Sequence, residues 1–252
     1  NEENLGSNKT FEKLTLLAGG EYIAYCDQDD VWLEEKIETS FDELKKENGI
    51  LVFSDMVIID AKGQKTAESI TDVRRHHKFY SGEGLSKVLL FSNFVTGCTI
   101  LIKAEKARAS IPFCPYMVHD HWLALFCSLS GILVFIQKPL IDYRIHESNQ
   151  TLMMAGVDDK NSYLKLRVEE ALNKFYWLRE HLQSDAELSQ TIDQAIEWMT
   201  ARKSHFKGSL KGVKTIWTYR EFSYLTSIFE IFAPYMPEKI FLSIIGLKKR
   251  NI

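Results

Sequence analysis

Tyr22-Ile23-Ala24-Tyr25-Cys26-Asp27-Gln28-Asp29-Asp30-Val31-Trp32 is the stretch around which the chain is organised. Its first five residues are β-formers and read as a buried strand. Residues 33–46 then carry apolar side chains at helical spacing. Three carboxylates, Asp27, Asp29 and Asp30, therefore crowd where a strand ends and before a helix begins. Carboxylates this close repel one another, and packing alone gives no reason to gather them. Ligands of open α/β sheets bind outside the carboxyl ends of strands. Hard oxygen donors suit Mg²⁺ or Mn²⁺, and such a cation would remove the repulsion. The plainer reading is an acidic turn in which Asp30 caps the following helix.

Four further segments stand out in chain order. Residues 50–59 are apolar and β-branched, the pattern of a central strand, yet contain Ser54-Asp55. A carboxylate inside such a strand needs a partner. Asn93-Phe94-Val95-Thr96-Gly97-Cys98-Thr99 leads into another strand, with Gly97 permitting close backbone approach. In His119-Asp120-His121-Trp122, Asp120 falls at a helix start, where the dipole favours a carboxylate. Tyr143-Arg144-Ile145-His146 ends a pair of short strands.

Together these segments resemble family 2 glycosyltransferases of the GT-A fold, in particular the bacterial subset labelled rhamnosyltransferases. The resemblance covers residues 4–149 and is thin beyond them. It implies transfer of a sugar, rhamnose among the candidates, from a nucleotide-diphosphate sugar to a glycan or lipid-linked acceptor, with inversion and with Mg²⁺ or Mn²⁺. Asp120 would be the catalytic base that takes the acceptor hydroxyl proton. Asp27, Asp29, Asp55, Arg144 and His146 would meet the donor, with Asp29 and His146 on the metal. Gly97, Cys98, His119 and Trp122 would line the acceptor side. For Asp55, structural hydrogen bonding is an equal alternative, and Asp30 would be a helix cap or a supporting partner. The resemblance also makes the chain the carboxyl-terminal part of a longer protein, since the family's nucleotide-base segment would precede Asn1.

The fold expected is thus α/β: the later part of a GT-A mixed sheet flanked by helices over residues 1–155, then an all-helical part over residues 156–252. Ser7 or Asn8 would cap a first helix running to Ala18, with Phe11, Leu14 and Leu17 facing inward. Residues 64–83 read as a long polar excursion centred on Arg74-Arg75-His76-His77-Lys78, a cationic cluster suited to a diphosphate. Residues 163–182, 186–206, 213–232 and 237–245 read as four helices.

At 45% hydrophobic and 26% charged, the 252 residues can form one good core or two small ones. No apolar run reaches the length of about 20 residues that spans a bilayer. Cys26, Cys98, Cys114 and Cys127 lack metal-ligand spacing and read as free thiols of a reducing compartment. The net charge of −3 hides an asymmetry: residues 201–252 hold ten Lys/Arg against three Asp/Glu. That basic, aromatic-rich end suits an anionic partner, and peripheral contact with the inner face of the plasma membrane from the cytoplasm is the expectation. Solvated basic helices are the competing account, and no nucleic-acid motif is present. A glycan- or membrane-docking module without catalysis is the rival to an enzyme.

Overall fold

The computed structural model describes residues 3–74, 76–145, 156–182 and 185–250. The chain forms two compact units, Asn1–Asn149 and Gln150–Ile252. The first is α/β and the second helical. In chain order the first contains α1 (Gly6–Leu17), β1 (Tyr22–Ala24), β2 (Val31–Trp32), α2 (Lys36–Lys46), β3 (Leu51–Ser54), β4 (Val57–Ile59), β5 (Lys65–Ala67) and α3 (Ile70–Val73). There follow α4 (Ser86–Phe91), a 3₁₀ turn at Gly97–Thr99, β6 (Leu101–Lys103), α5 (Ala104–Ala109), α6 (His119–Ser128), β7 (Leu133–Ile136) and β8 (Ile141–Arg144).

The strands form two mixed sheets among the described residues, in the orders β1-β6-β3-β7 and β2-β8-β4-β5. Residues 50–59 are therefore two strands in two sheets, where one central strand was expected. Asp55 makes the break. It is buried, and its Oδ1 accepts from the backbone N–H of Met56 at 2.7 Å and of Ile70 at 3.3 Å. The first of these bonds takes up the Met56 N–H, and strand pairing is interrupted between Ser54 and Val57. β3 runs parallel to β7 with Phe53 opposite Phe135, and β4 runs parallel to β8 with Ile58 opposite Tyr143. Both strand pairs thus pass together from the first sheet to the second. Leu44 of α2 packs on Val52, Leu101, Val134 and Ile136 of the first sheet. Met56, Ile58, Ile70, Cys98, Ile141 and Tyr143 form a second cluster under the other.

Other local expectations shift for identifiable reasons. The first helix is capped by neither Ser7 nor Asn8: Asn4 Oδ1 accepts from the Gly6 N–H at 2.9 Å, and Asn8 Nδ2 donates to the Cys114 carbonyl. Its buried residue is Thr15, bonded to the Tyr25 hydroxyl at 2.7 Å, while Leu14 and Leu17 are exposed. The second helix begins at Lys36, because Val31 and Trp32 pair with Asp142 and Ile141 first. Residues 65–73 of the polar excursion hold β5 and the box-capped α3.

The second unit comprises α7 (Lys160–Tyr163), a π-helical segment at Leu164–Glu169, α8 (Glu170–His181), α9 (Ala186–Phe206), α10 (Gly212–Thr218), α11 (Tyr224–Phe232) and α12 (Glu238–Arg250). The single helix expected over residues 213–232 is broken by a 3₁₀ turn at Arg220–Phe222, and extended Ser223 restarts it. Tyr163, Val168, Ala233, Phe241 and Ile245 form its core. Inside it, Arg202 of α9 pairs with Glu230 of α11, and Tyr163 donates its hydroxyl to the same carboxylate at 2.7 Å. The aromatics of the basic end divide. Phe222 packs on Trp198 and Phe229 on Phe241, whereas Trp217, Tyr224, Phe232 and Tyr235 are exposed. Among the described residues, no helix is long and apolar enough to cross a membrane.

Candidate functional site

The acidic stretch leaves the first sheet after Ala24 and enters the second at Val31, so its carboxylates lie between the two sheets' strand ends. Arg144, last residue of β8, fastens it. The Arg144 backbone N–H donates to Asp30 Oδ1 at 2.9 Å, and its guanidinium donates to the carbonyls of Asp29 at 2.8 Å and Asp60 at 2.9 Å. Arg144, expected on the donor diphosphate, thus shapes the loop through backbone carbonyls. Asp30 caps no helix. Its Oδ2 is buried, and the Cys98 thiol is the hydrogen-bonding group beside the carboxylate.

Asp27, Asp30 and Cys98 each offer a ligand atom, all within 4.8 Å of one another. Asp29, expected as the metal ligand, is not in that group, although its charge acts on Asp27. Burial, then Asp30, Asp29 and Asp120, push the Asp27 carboxyl up to about 6. Burial likewise raises Asp30, against the opposing hydrogen bonds of the Arg144 N–H and the Cys98 thiol. Cys98, expected toward the acceptor, is 1% exposed and belongs with the carboxylates instead.

Asp120 lies in the first turn of α6. Its Oδ2 accepts from the Gly97 N–H at 2.9 Å, and its Oδ1 from Asn93 Nδ2 at 3.0 Å and the His121 N–H at 2.5 Å. Burial pushes its carboxyl up to about 6, and these three donors and the nearby Arg74 charge restrain the rise. A half-buried carboxylate that titrates near neutrality and is held in one orientation can serve as a proton acceptor. Gly97 and Cys98, adjacent in the 3₁₀ turn, connect Asp120 to the acidic cluster.

Two expected acceptor contacts become supports. Trp122 is buried and donates its indole N–H to the Ser110 carbonyl at 2.8 Å. His119 is buried, stacked on Phe11 with ring centroids 3.9 Å apart, and burial lowers it to about 4, so it is neutral. Neither offers a face to a substrate. Asp55 is occupied by the strand break, and His146 lies outside the described residues.

Three participants were given no individual role by the sequence reading. Asn93 orients Asp120. Arg74 is the cation whose field reaches Asp120, and it was visible only as part of a charge run. Lys36 is 0% exposed, with Nζ 4.3 Å from the Trp32 ring centroid and without a hydrogen-bond partner. Burial lowers it to about 8, with the Cys98 and Cys26 thiols opposing. Its signal was positional: Lys36, Ser40 and Leu44 share the inward stripe of α2.

Comparison with known proteins finds similarity to glycosyltransferases. Over 178 residues, 68% of this chain and 58% of the other, it is 26% identical to the dTDP-rhamnosyl transferase RfbG of Shigella flexneri. The chain is related to glycosyltransferases. Over 185 residues it is 22% identical to the uncharacterized glycosyltransferase MJ1057 of Methanocaldococcus jannaschii, covering 72% of this chain and 57% of that one. The match therefore spans less than two thirds of either relative's length. Among solved structures it is similar to S. aureus TarS 1-349 in complex with UDP-GlcNAc, with a TM-score of 0.47, 11% identity and coverage of 96% and 69% of the two chains. No family model matches.

Proposed function

We propose that this chain carries the acceptor-activating and cation-binding centre of an inverting family 2 glycosyltransferase of GT-A type. It would transfer a sugar, rhamnose the leading candidate, from a nucleotide diphosphate to a glycan or lipid-linked saccharide in bacterial surface polysaccharide synthesis. The observation that carries this is the union of Asp120 with the acidic cluster through Gly97 and Cys98. Asp120, aligned by three N–H donors, would take the proton of the acceptor hydroxyl as that oxygen attacks the anomeric carbon. Arg144 keeps the acidic loop in register during this. The clustering of Asp27 and Asp30 and the charge crowding around Asp27 fit a divalent cation, held by Asp27 and Asp30 with Asp29 alongside. When bound, Mg²⁺ or Mn²⁺ would supply positive charge to the departing diphosphate.

The test is nucleotide-diphosphate release from a panel of donors, with and without Mn²⁺, for the wild type and Asp120→Asn. The amide is nearly isosteric but takes no proton. We expect donor binding to persist and transfer to fall about 10² to 10⁴-fold. Transfer by Asp120→Asn close to the wild-type rate would overturn the role of Asp120 and the reading with it.

Peripheral docking of the helical unit on an anionic membrane extends the reading, and would present a lipid-linked acceptor at the cytoplasmic face. It is supported by an outward stripe on α11, where Leu225 (75% exposed) and Phe232 lie a heptad apart, and by exposed Ile240 and Leu247 on α12. Lys211 and Lys214 are exposed, and Arg220 lies 4.6 Å from the Trp217 ring centroid. Basic and interfacial aromatic side chains together suit an anionic headgroup layer.

A further inference from the structure

We propose that Asn93 is the positioning residue of the candidate base: it fills Asp120 Oδ1 and leaves a single accepting position, on Oδ2, for the proton of the acceptor hydroxyl. This rests on the reading of Asp120 above, and names the atom that acts and the side chain that selects it.

An ionised carboxylate accepts at about four positions, two on each oxygen. Asp120 Oδ1 receives Asn93 Nδ2 at 3.0 Å and the His121 N–H at 2.5 Å, so both of its positions are taken. Oδ2 receives the Gly97 N–H at 2.9 Å and, among the described residues, keeps one position. The Asn93 amide is itself fixed, because its Oδ1 accepts from the Val95 N–H at 3.0 Å. Turning it over would set an oxygen against the carboxylate and amide hydrogens against an N–H. The other two donors are backbone groups, of the turn at Gly97–Thr99 and of α6, so Asn93 is the side chain among the three.

In transfer the proton of the acceptor hydroxyl passes to Oδ2 and the hydroxyl oxygen bonds to the anomeric carbon. The bond from that carbon to the diphosphate breaks, and its electron pair leaves on the diphosphate. Misplacing a catalytic group by about 1 Å can cost about 10² in rate, which sets the scale for the Asn93 bond. Asn93 also favours the ionised form, as a donor to a carboxylate does. Burial opposes ionisation, and the Arg74 charge favours it. Asp27 lies within reach of the Asp120 charge, whereas burial keeps the Cys98 thiol and the His119 ring neutral. His121 Nε2 meets the Leu89 carbonyl at 2.6 Å.

Two measurements on the full chain test this. The first needs no ligand: the carboxyl carbon resonance of Asp120, assigned by its loss in Asp120→Asn, is titrated with pH. Asn93→Ala should move its midpoint to higher pH. Asn93→Asp, nearly isosteric, should set two carboxyls against each other, so that the pair titrates in two separated steps. The second is the pH profile of nucleotide-diphosphate release. Asn93→Ala should lower kcat about ten- to a hundredfold with the donor KM unchanged. Asn93→Asp should turn a profile that rises and levels into a bell, because only the singly protonated pair both donates to Oδ1 and accepts at Oδ2. A purely structural Asn93 would leave the shape of the profile as it is. Should Asn93→Ala fail to fold, Asn93→Asp decides. An unmoved midpoint in Asn93→Ala, or an Asn93→Asp profile that levels where the wild type does, overturns the role of Asn93 and leaves the base standing. Release by Asp120→Asn at the wild-type rate overturns the base, and Asn93 with it.

Discussion

A Cβ on Gly97 would lie 2.5 Å from His119 Nε2 and 2.9 Å from Cε1. The glycine is needed for this close approach, and the approach gives Asp120 its Gly97 N–H. Gly97→Ala should destabilise the chain by about 1–3 kcal/mol, as overpacking does, and disturb Asp120. Because the clash is with one ring, His119→Ala in the same chain should recover part of the loss, and a denaturation double-mutant cycle measures that coupling. The two titrating residues have opposite pH signatures. Burial depresses His119 from 6.5 to about 4, so its contribution to stability is complete above 6.5 and is lost as pH falls towards 4. His119→Phe should therefore flatten the melting temperature over that window. Asp120 is raised from 3.8 to about 6, so its stabilising share is present below 3.8 and lost as pH rises through 6. The ionised base gains in the same direction: transfer should climb through pH 6 and level off above it, as a pH–rate profile would show.

Between elements, polar anchors decide what periodicity left open. Apolar patterning located β1 and α9 to within a few residues. It missed the break at Asp55 because the residues on both sides, 50–53 and 56–59, are apolar, and only the carboxylate's backbone partners reveal the interruption. It placed the acidic stretch, Gly97 and Asp120 in the right segments. It could not show that Trp122 and His119 face inward, because a helix start gives no orientation until its neighbours are known. The Arg202–Glu230 pair fixes α9 against α11 in the same manner. Glu230→Gln or Arg202→Met should each cost the helical unit about 3–5 kcal/mol by leaving a buried charge unpaired. The double variant Arg202→Met with Glu230→Met should recover most of that in urea denaturation.

For the molecule as a whole, the basic balance of residues 201–252 on an acidic remainder makes electrostatic orientation testable. Sedimentation with anionic vesicles should carry the chain down at low salt and release it at high salt, where the Debye length shrinks to about 3 Å at 1 M. Replacing Leu225 and Phe232 by Ser should weaken that recovery, because the exposed stripe would lose its apolar contribution. Equal recovery in the supernatant with anionic and neutral vesicles at every salt concentration would rule out the membrane role.

Gly97 and Cys98 are neighbours in sequence, and one orients the base while the other joins the acidic cluster. In the reading proposed here, a single peptide link of about 3.8 Å is the gauge between the two halves of the chemistry. Loops elsewhere can grow or shrink without altering that gauge. An insertion between these two residues would put the halves out of phase, and no compensating substitution at either one would restore them. Diversification of donors and acceptors on this scaffold should accordingly be written in the surrounding loops, with residues 97 and 98 constant in spacing even where their neighbours change.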